Sequence, residues 1–116
     1  MRIVNLDTFL DMPGEVLFAK FGRSYFEELE IKSGNSGDVD FVTQQVLQVA
    51  CSSSGEMYGI LDEAEAGKPF SLDLDYAGRD GCFDRDQLFA VYEEGDLRQL
   101  IERLTIVLQS MEAPSE

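Results

Sequence analysis

The sequence predicts an α+β domain: an antiparallel β-sheet with two main helices packed on one face, the second of them C-terminal. Three observations carry this. Short segments such as Glu27-Glu28-Leu29-Glu30-Ile31-Lys32 alternate polar with apolar residues, the period of a half-buried strand. Leu97, Leu100, Ile101, Leu104, Val107 and Leu108 recur at helical spacing near the C-terminus. The chain has 116 residues, 44 % hydrophobic and 28 % charged, which suits one hydrophobic core and is too apolar for a disordered acidic segment. Residues 1–110 are expected to form a single domain, with 111–116 a frayed tail.

Arg2 to Val4 reads as a short strand, and Asn5 or Asp7 then caps a brief helix over Thr8 to Met12 that Pro13-Gly14 ends. Val16 to Phe21 reads as a strand, and Gly22-Arg23-Ser24 turns the chain into the next, Glu27 to Lys32. Ser33-Gly34-Asn35-Ser36-Gly37-Asp38 reads as a mobile loop, and Asp40 onward opens as a strand because of Phe41 and Val42. Ser53 or Ser54 caps a helix through Glu56–Glu65, closed by Gly67 and Pro69, whose face of Met57, Ile60, Leu61 and Ala64 is expected to pack. Phe70 to Asp75 alternates as a strand, a turn-rich loop covers Tyr76 to Asp86, and Gln87 to Tyr92 is the last strand. Asp96 caps the final helix, with Arg98, Glu102, Arg103 and Gln109 opposite its apolar stripe.

Charge is the strongest compositional signal. Nine basic residues stand against 23 acidic ones, a net −14, and Glu56 to Asp96 alone holds 12 acids against Lys68, Arg79 and Arg85. Such a field repels nucleic-acid backbones and anionic lipid and attracts basic surfaces, which argues against direct nucleic-acid or membrane binding. No stretch approaches the roughly 20 apolar residues of a membrane helix. The opening residues, interrupted by Asn5, Asp7 and Asp11, do not read as a signal peptide, so the cytoplasm of the host cell is expected. Cys51 and Cys82 form no CxxC pair and read as two small, mostly buried thiols.

The chain contains no histidine, which removes every Ser-His-Asp and Cys-His arrangement and all histidine metal sites. Three lysines and no Gly-rich phosphate loop leave carboxylate, Lys or Tyr chemistry, or a carboxylate-bound Mg²⁺, as routes to catalysis; no motif supports one. A binding protein rather than an enzyme is expected, with no cofactor and no metal. The calcium-loop pattern fits Asp73, Asp75, Gly78 and Asp84 at positions one, three, six and twelve, but Ala77 stands at position five and Asp84 replaces the bidentate Glu.

The acidic loop is the most distinctive local feature. Asp73, Asp75, Asp80, Asp84 and Asp86 supply steering charge, and Tyr76 and Phe83 supply aromatic anchors. Arg79 and Arg85 either pair with these acids or grip an anionic ligand. Together these nine residues form the expected partner-binding site. Phe18, Phe21, Phe41, Phe70, Phe89 and Tyr92 read as core, whereas Tyr25-Phe26 beside a turn is better placed to reach a partner. Asp73 with Asp75, and Glu28 with Glu30, are expected on solvent-facing sides of strands, since Leu72, Leu74, Leu29 and Ile31 take the other. Carboxylates spaced about 6–7 Å apart on a strand approximate the phosphate spacing of a nucleic acid.

Leu6-Asp7-Thr8-Phe9-Leu10 followed by Pro13-Gly14, and Gly78-Arg79-Asp80-Gly81-Cys82-Phe83-Asp84 running into Asp86 to Val91, resemble small acidic proteins of phage and prophage genomes over Leu6 to about Leu108. The relatives are uncharacterised, so the resemblance implies a viral origin and no catalytic or binding residues. It also implies the company of small acidic phage proteins that inhibit host machinery, anti-CRISPR proteins among them. The leading expectation is therefore a non-enzymatic inhibitor that binds a basic surface of a host defence or nucleic-acid enzyme. Three other readings stay open. One is a binder of an immune nucleotide signal through Arg79, Arg85, Arg98 and Arg103 at a homo-oligomer interface; the others are an enzyme with carboxylate-bound Mg²⁺ and a virion or assembly component.

Overall fold

Four of the eight phenylalanines meet at one point and set the layout. Phe9, Phe18, Phe41 and Phe89 are each at most 1 % exposed. Phe9 stacks on Phe89 at 4.0 Å and meets Phe18 and Phe41 edge-on at 4.7 and 5.1 Å, favourable aromatic geometries that add to the burial of large rings. Val4, Leu6, Val16 and Val91 complete this core.

The computed structural model describes residues 1–113. In chain order these form β1 (Arg2–Val4), α1 (Leu6–Asp11), β2 (Val16–Phe21), β3 (Phe26–Ser36), β4 (Asp40–Gln45), α2 (Ser54–Glu65), β5 (Gly78–Arg79), β6 (Leu88–Val91) and α3 (Glu94–Glu112). The strands make a six-stranded sheet in the order β1-β6-β2-β3-β4-β5, every neighbouring pair antiparallel. The fold is α+β, with a C-terminal helix.

Register assigns the two faces. Phe18 lies opposite Val91 and Glu30, Val16 opposite Lys32, and Lys20 opposite Phe89, so these residues share the face that α1 covers. Asn5 caps α1 by accepting the Thr8 N–H. The carbonyls at the end of this helix are met by β3. The Lys32 ammonium donates to Phe9 O at 2.6 Å and Met12 O at 3.1 Å and lies 4.8 Å from the centre of the Phe9 ring. Asn35 Nδ2 donates to Leu10 O. Burial pushes the Lys32 ammonium down from its usual range, yet removing it would strand the Met12 carbonyl and leave Phe9 O with only the Met12 N–H at 3.3 Å.

Several sequence expectations change. Ser33 to Ser36 is not a loop: β3 runs through it past a bulge between Lys32 and Gly34, and the chain reverses at Gly37, whose φ is +78°. Phe70 to Asp75 makes only the Val49–Leu72 bridge, because Asp73 Oδ1 accepts the Asp75 and Tyr76 N–H groups and turns the chain. Glu30 and Lys32 face inward, since α1 and the 73–86 loop cover the polar side of β3, while Leu29 and Ile31 lie under α3. Phe70 is exposed and Phe21 and Tyr92 are half-buried.

α1 occupies one face and α3 crosses the other, and neither α2 nor α3 has a fully buried residue. In α2, Met57, Ile60 and Ala64 are half-buried and Leu61 exposed, so the face expected to pack is only partly covered. Glu93, not Asp96, is the cap of α3; Asp96 sits in its first turn and accepts the Glu93 N–H at 3.0 Å. Met111 and Glu112, expected to fray, continue α3, and residues 114–116 of the expected tail lie outside the described residues.

Candidate partner-binding site

Two side chains of the sheet decide the course of the acidic loop. Asp40, 1 % exposed, uses Oδ1 to accept the Phe41 and Gly81 N–H groups and Oδ2 to accept Arg79 Nε, all at 2.9 Å. The Gly81 N–H, ahead of burial in weight and joined by Arg79 and the Phe41 N–H, holds the Asp40 carboxyl below the usual carboxylate range. Lys20 donates to Asp80 Oδ1 at 2.7 Å with both side chains largely buried. Burial pulls the Lys20 ammonium down, and the hydrogen bond and charge of Asp80 more than offset it, leaving it raised. Beneath the loop the Thr43 hydroxyl donates to Glu30, whose carboxyl is pushed up chiefly by burial.

These anchors separate the nine expected site residues into distinct roles. Arg79 and Asp80 are taken up by Asp40 and Lys20 and hold the loop to the sheet. Asp73 turns back on its own backbone and, with the exposed Tyr76, lines a cleft beside the start of α2. Asp84 accepts the Asp86 N–H at 2.9 Å, which turns the far end of the loop. Asp75, Phe83, Arg85 and Asp86 are exposed.

At that far end the fold assembles what the linear sequence keeps apart. Asp84 and Asp86 line a cleft of about 280 Å³ with Arg23 and Tyr25 of the β2–β3 turn and Glu27 of β3. Three acidic residues and one arginine line it, and among the described residues none of the four is in an ion pair. The turn is tight: the Gly22 N–H donates to Tyr25 O, and Arg23 adopts a left-handed φ of +71°. The Tyr25 ring lies over Gly22, where any Cβ would collide with it, so the glycine gives the aromatic its seat at the cleft. The sequence pattern places Tyr25 near a partner and Glu27 only at the start of a strand. The signal that could have joined them to Asp84 and Asp86 is the pairing of β2 with β6, which sets Phe21 beside Leu88.

The loop does not gather ligands in the calcium-loop manner, and among the described residues no group of three or more cysteines, aspartates or glutamates is placed to hold a metal ion. Both cysteines are free; Cys51 is half-buried, and Cys82 is exposed rather than buried as expected. Of the arginines considered for an anionic ligand, Arg79 pairs with Asp40 and Arg98 with Glu94, while Arg103 lines a separate cavity under α3. No helix is long and apolar enough to cross a membrane among the described residues. Compared with known proteins, the chain matches no family model, no curated protein and no solved structure.

Proposed function

We propose that the protein acts by binding, and that the cleft of Glu27, Asp84 and Asp86 receives an arginine or lysine side chain from the basic surface of a partner protein. The observation that supports this reading is a cleft lined by three carboxylates outside any ion pair, with Arg23 and an exposed tyrosine at its other side. A cleft of about 280 Å³ suits one long side chain rather than a cofactor. Carboxylates accept a guanidinium through paired hydrogen bonds, and the tyrosine face adds cation–π attraction. The net charge of −14 steers a cationic partner from a distance. A host nucleic-acid enzyme, with its exposed phosphate-binding arginines, is a partner of this chemistry, and blocking it would make the protein an inhibitor of the phage type.

The test is an NMR titration with an arginine-rich peptide. Shifts concentrated at Glu27, Asp84 and Asp86 and reduced by salt are expected, and the triple variant E27Q/D84N/D86N should bind at least about tenfold more weakly. Shifts spread evenly over the acidic surface, or unchanged affinity in the variant, would sink the assignment. Affinity capture from host lysate then identifies the partner.

A further inference from the structure

The face of α3 that carries its leucines is only partly covered: Leu100 is half-buried on the sheet side and the rest stands open. Leu97, Ile101, Leu104, Val107, Leu108 and Met111 are between 39 % and 80 % exposed although they form one continuous apolar stripe. The 19-residue helix, about 28 Å long, crosses the sheet without closing on it. A channel of about 310 Å³ lies between Leu100 and Leu104 of α3 and Leu17, Ile31 and Val46 of the sheet side. The radius of gyration is 16.8 Å, against about 13 Å for a compact chain of this length. Solitary soluble chains rarely leave so long an apolar face in water.

We infer that this face is the contact between two copies of the chain, α3 of one lying against α3 and the open sheet flank of the other about a two-fold axis. Two features select a second copy. The first is charge. Between Leu97 and Met111 the only charged residues are Arg98, Arg103 and Glu102, a net +1, while the remainder of the chain carries −15. Copies meeting elsewhere bring together strongly like-charged surfaces; along the α3 stripe they do not, and of the residues lining the channel beside it only Glu15 is charged. The second is spacing. Leu97, Leu100, Leu104, Val107 and Met111 alternate three and four residues apart, the heptad seam on which identical helices interdigitate. Such a seam is its own complement, as a two-fold interface requires. The helix alone projects a face on the order of 300 Å², below the about 800 Å² per partner of a standard interface, so the sheet flank must contribute and the pair is expected to dissociate on dilution. The interface adjoins the carboxylate cleft through Glu27, which also lines the cavity under α3, and does not depend on the function of that cleft.

Sedimentation equilibrium of the full chain tests this. A mass rising to twice 13.0 kDa with concentration is expected. A chain that remains monomeric up to about a millimolar, where even a weak pair is populated, overturns the inference and leaves the stripe to a different protein or a lipid surface. The variant L104E/L108E alters side chains exposed in the single copy and should weaken association by at least about tenfold; association equal to wild type overturns the assigned face. Should the variant fail to fold, the wild type still decides: its midpoint of thermal unfolding should rise with protein concentration, and a flat midpoint overturns the inference.

Discussion

Glu30, Lys32 and Asp40 are each less than 8 % exposed, and each is held by a different device. Lys32 replaces hydration with two carbonyls of α1, Glu30 takes one hydroxyl, and Asp40 collects two backbone N–H groups and a guanidinium. The titration consequences differ in sign. Asp40 is more acidic folded than unfolded, so the stability it contributes is present above the ordinary carboxylate range and is lost as pH falls through its folded value. Glu30 is less acidic folded, so its ionisation counts against the fold, and it favours folding as pH drops from its raised value toward the ordinary range. The Asp40→Asn variant should therefore show a urea midpoint well below wild type at neutral pH and converge with it in acid. A gap between the two that is independent of pH would remove Asp40 as the linked group.

At the scale of elements, α1 is six residues long yet pinned at three carbonyls, whereas α2 is twice its length and nearly free. Ser53 caps α2 by accepting the Glu56 N–H at 3.1 Å, but a 12-residue helix with no buried side chain is marginal by itself. Its amides should exchange with solvent orders of magnitude faster than those of β2 and β6, which hold the phenylalanine core. The Ser53→Ala variant removes the cap and should weaken α2 locally by about 1 kcal/mol, visible as lost helical circular dichroism with the sheet unchanged. Equal protection of α2 and β2 in hydrogen-exchange NMR would contradict this division.

For the whole molecule, two opposing electrostatic terms compete. The Lys20–Asp80 and Arg79–Asp40 pairs stabilise the loop, and as partly buried pairs they are screened little by salt. Net charge of −14 acts over the whole surface, repels itself, and is screened readily. Self-repulsion should win, so the midpoint of thermal unfolding is expected to rise as sodium chloride increases from low to physiological levels. A fall would mean that the ion pairs dominate. The same field explains why the near-neutral stripe of α3 is the surface at which two copies can approach.

The properties legible from the linear chain are local or additive. Net charge and the α+β class follow from residue counts and periodicity, and the start of each of the first two helices is narrowed to two candidate caps, Asn5 or Asp7 and Ser53 or Ser54, of which the fold uses Asn5 and Ser53, because capping is decided within four residues. Strands β2, β4 and β6 were legible from their apolar runs. Which side of β3 is covered depends on contacts distant in sequence. Leu29 and Ile31 carry the apolar period, but the cost of burying Glu30 and Lys32 is offset by Thr43 and by carbonyls 20 to 23 residues away, partners that no pattern in β3 can reveal. The site followed the same rule. The loop 73–86 was visible as acidic and rich in turns. Its division into anchors at Arg79 and Asp80 and free carboxylates at Asp84 and Asp86 depended on Asp40 and Lys20, which are distant in sequence and adjacent only once the sheet has formed.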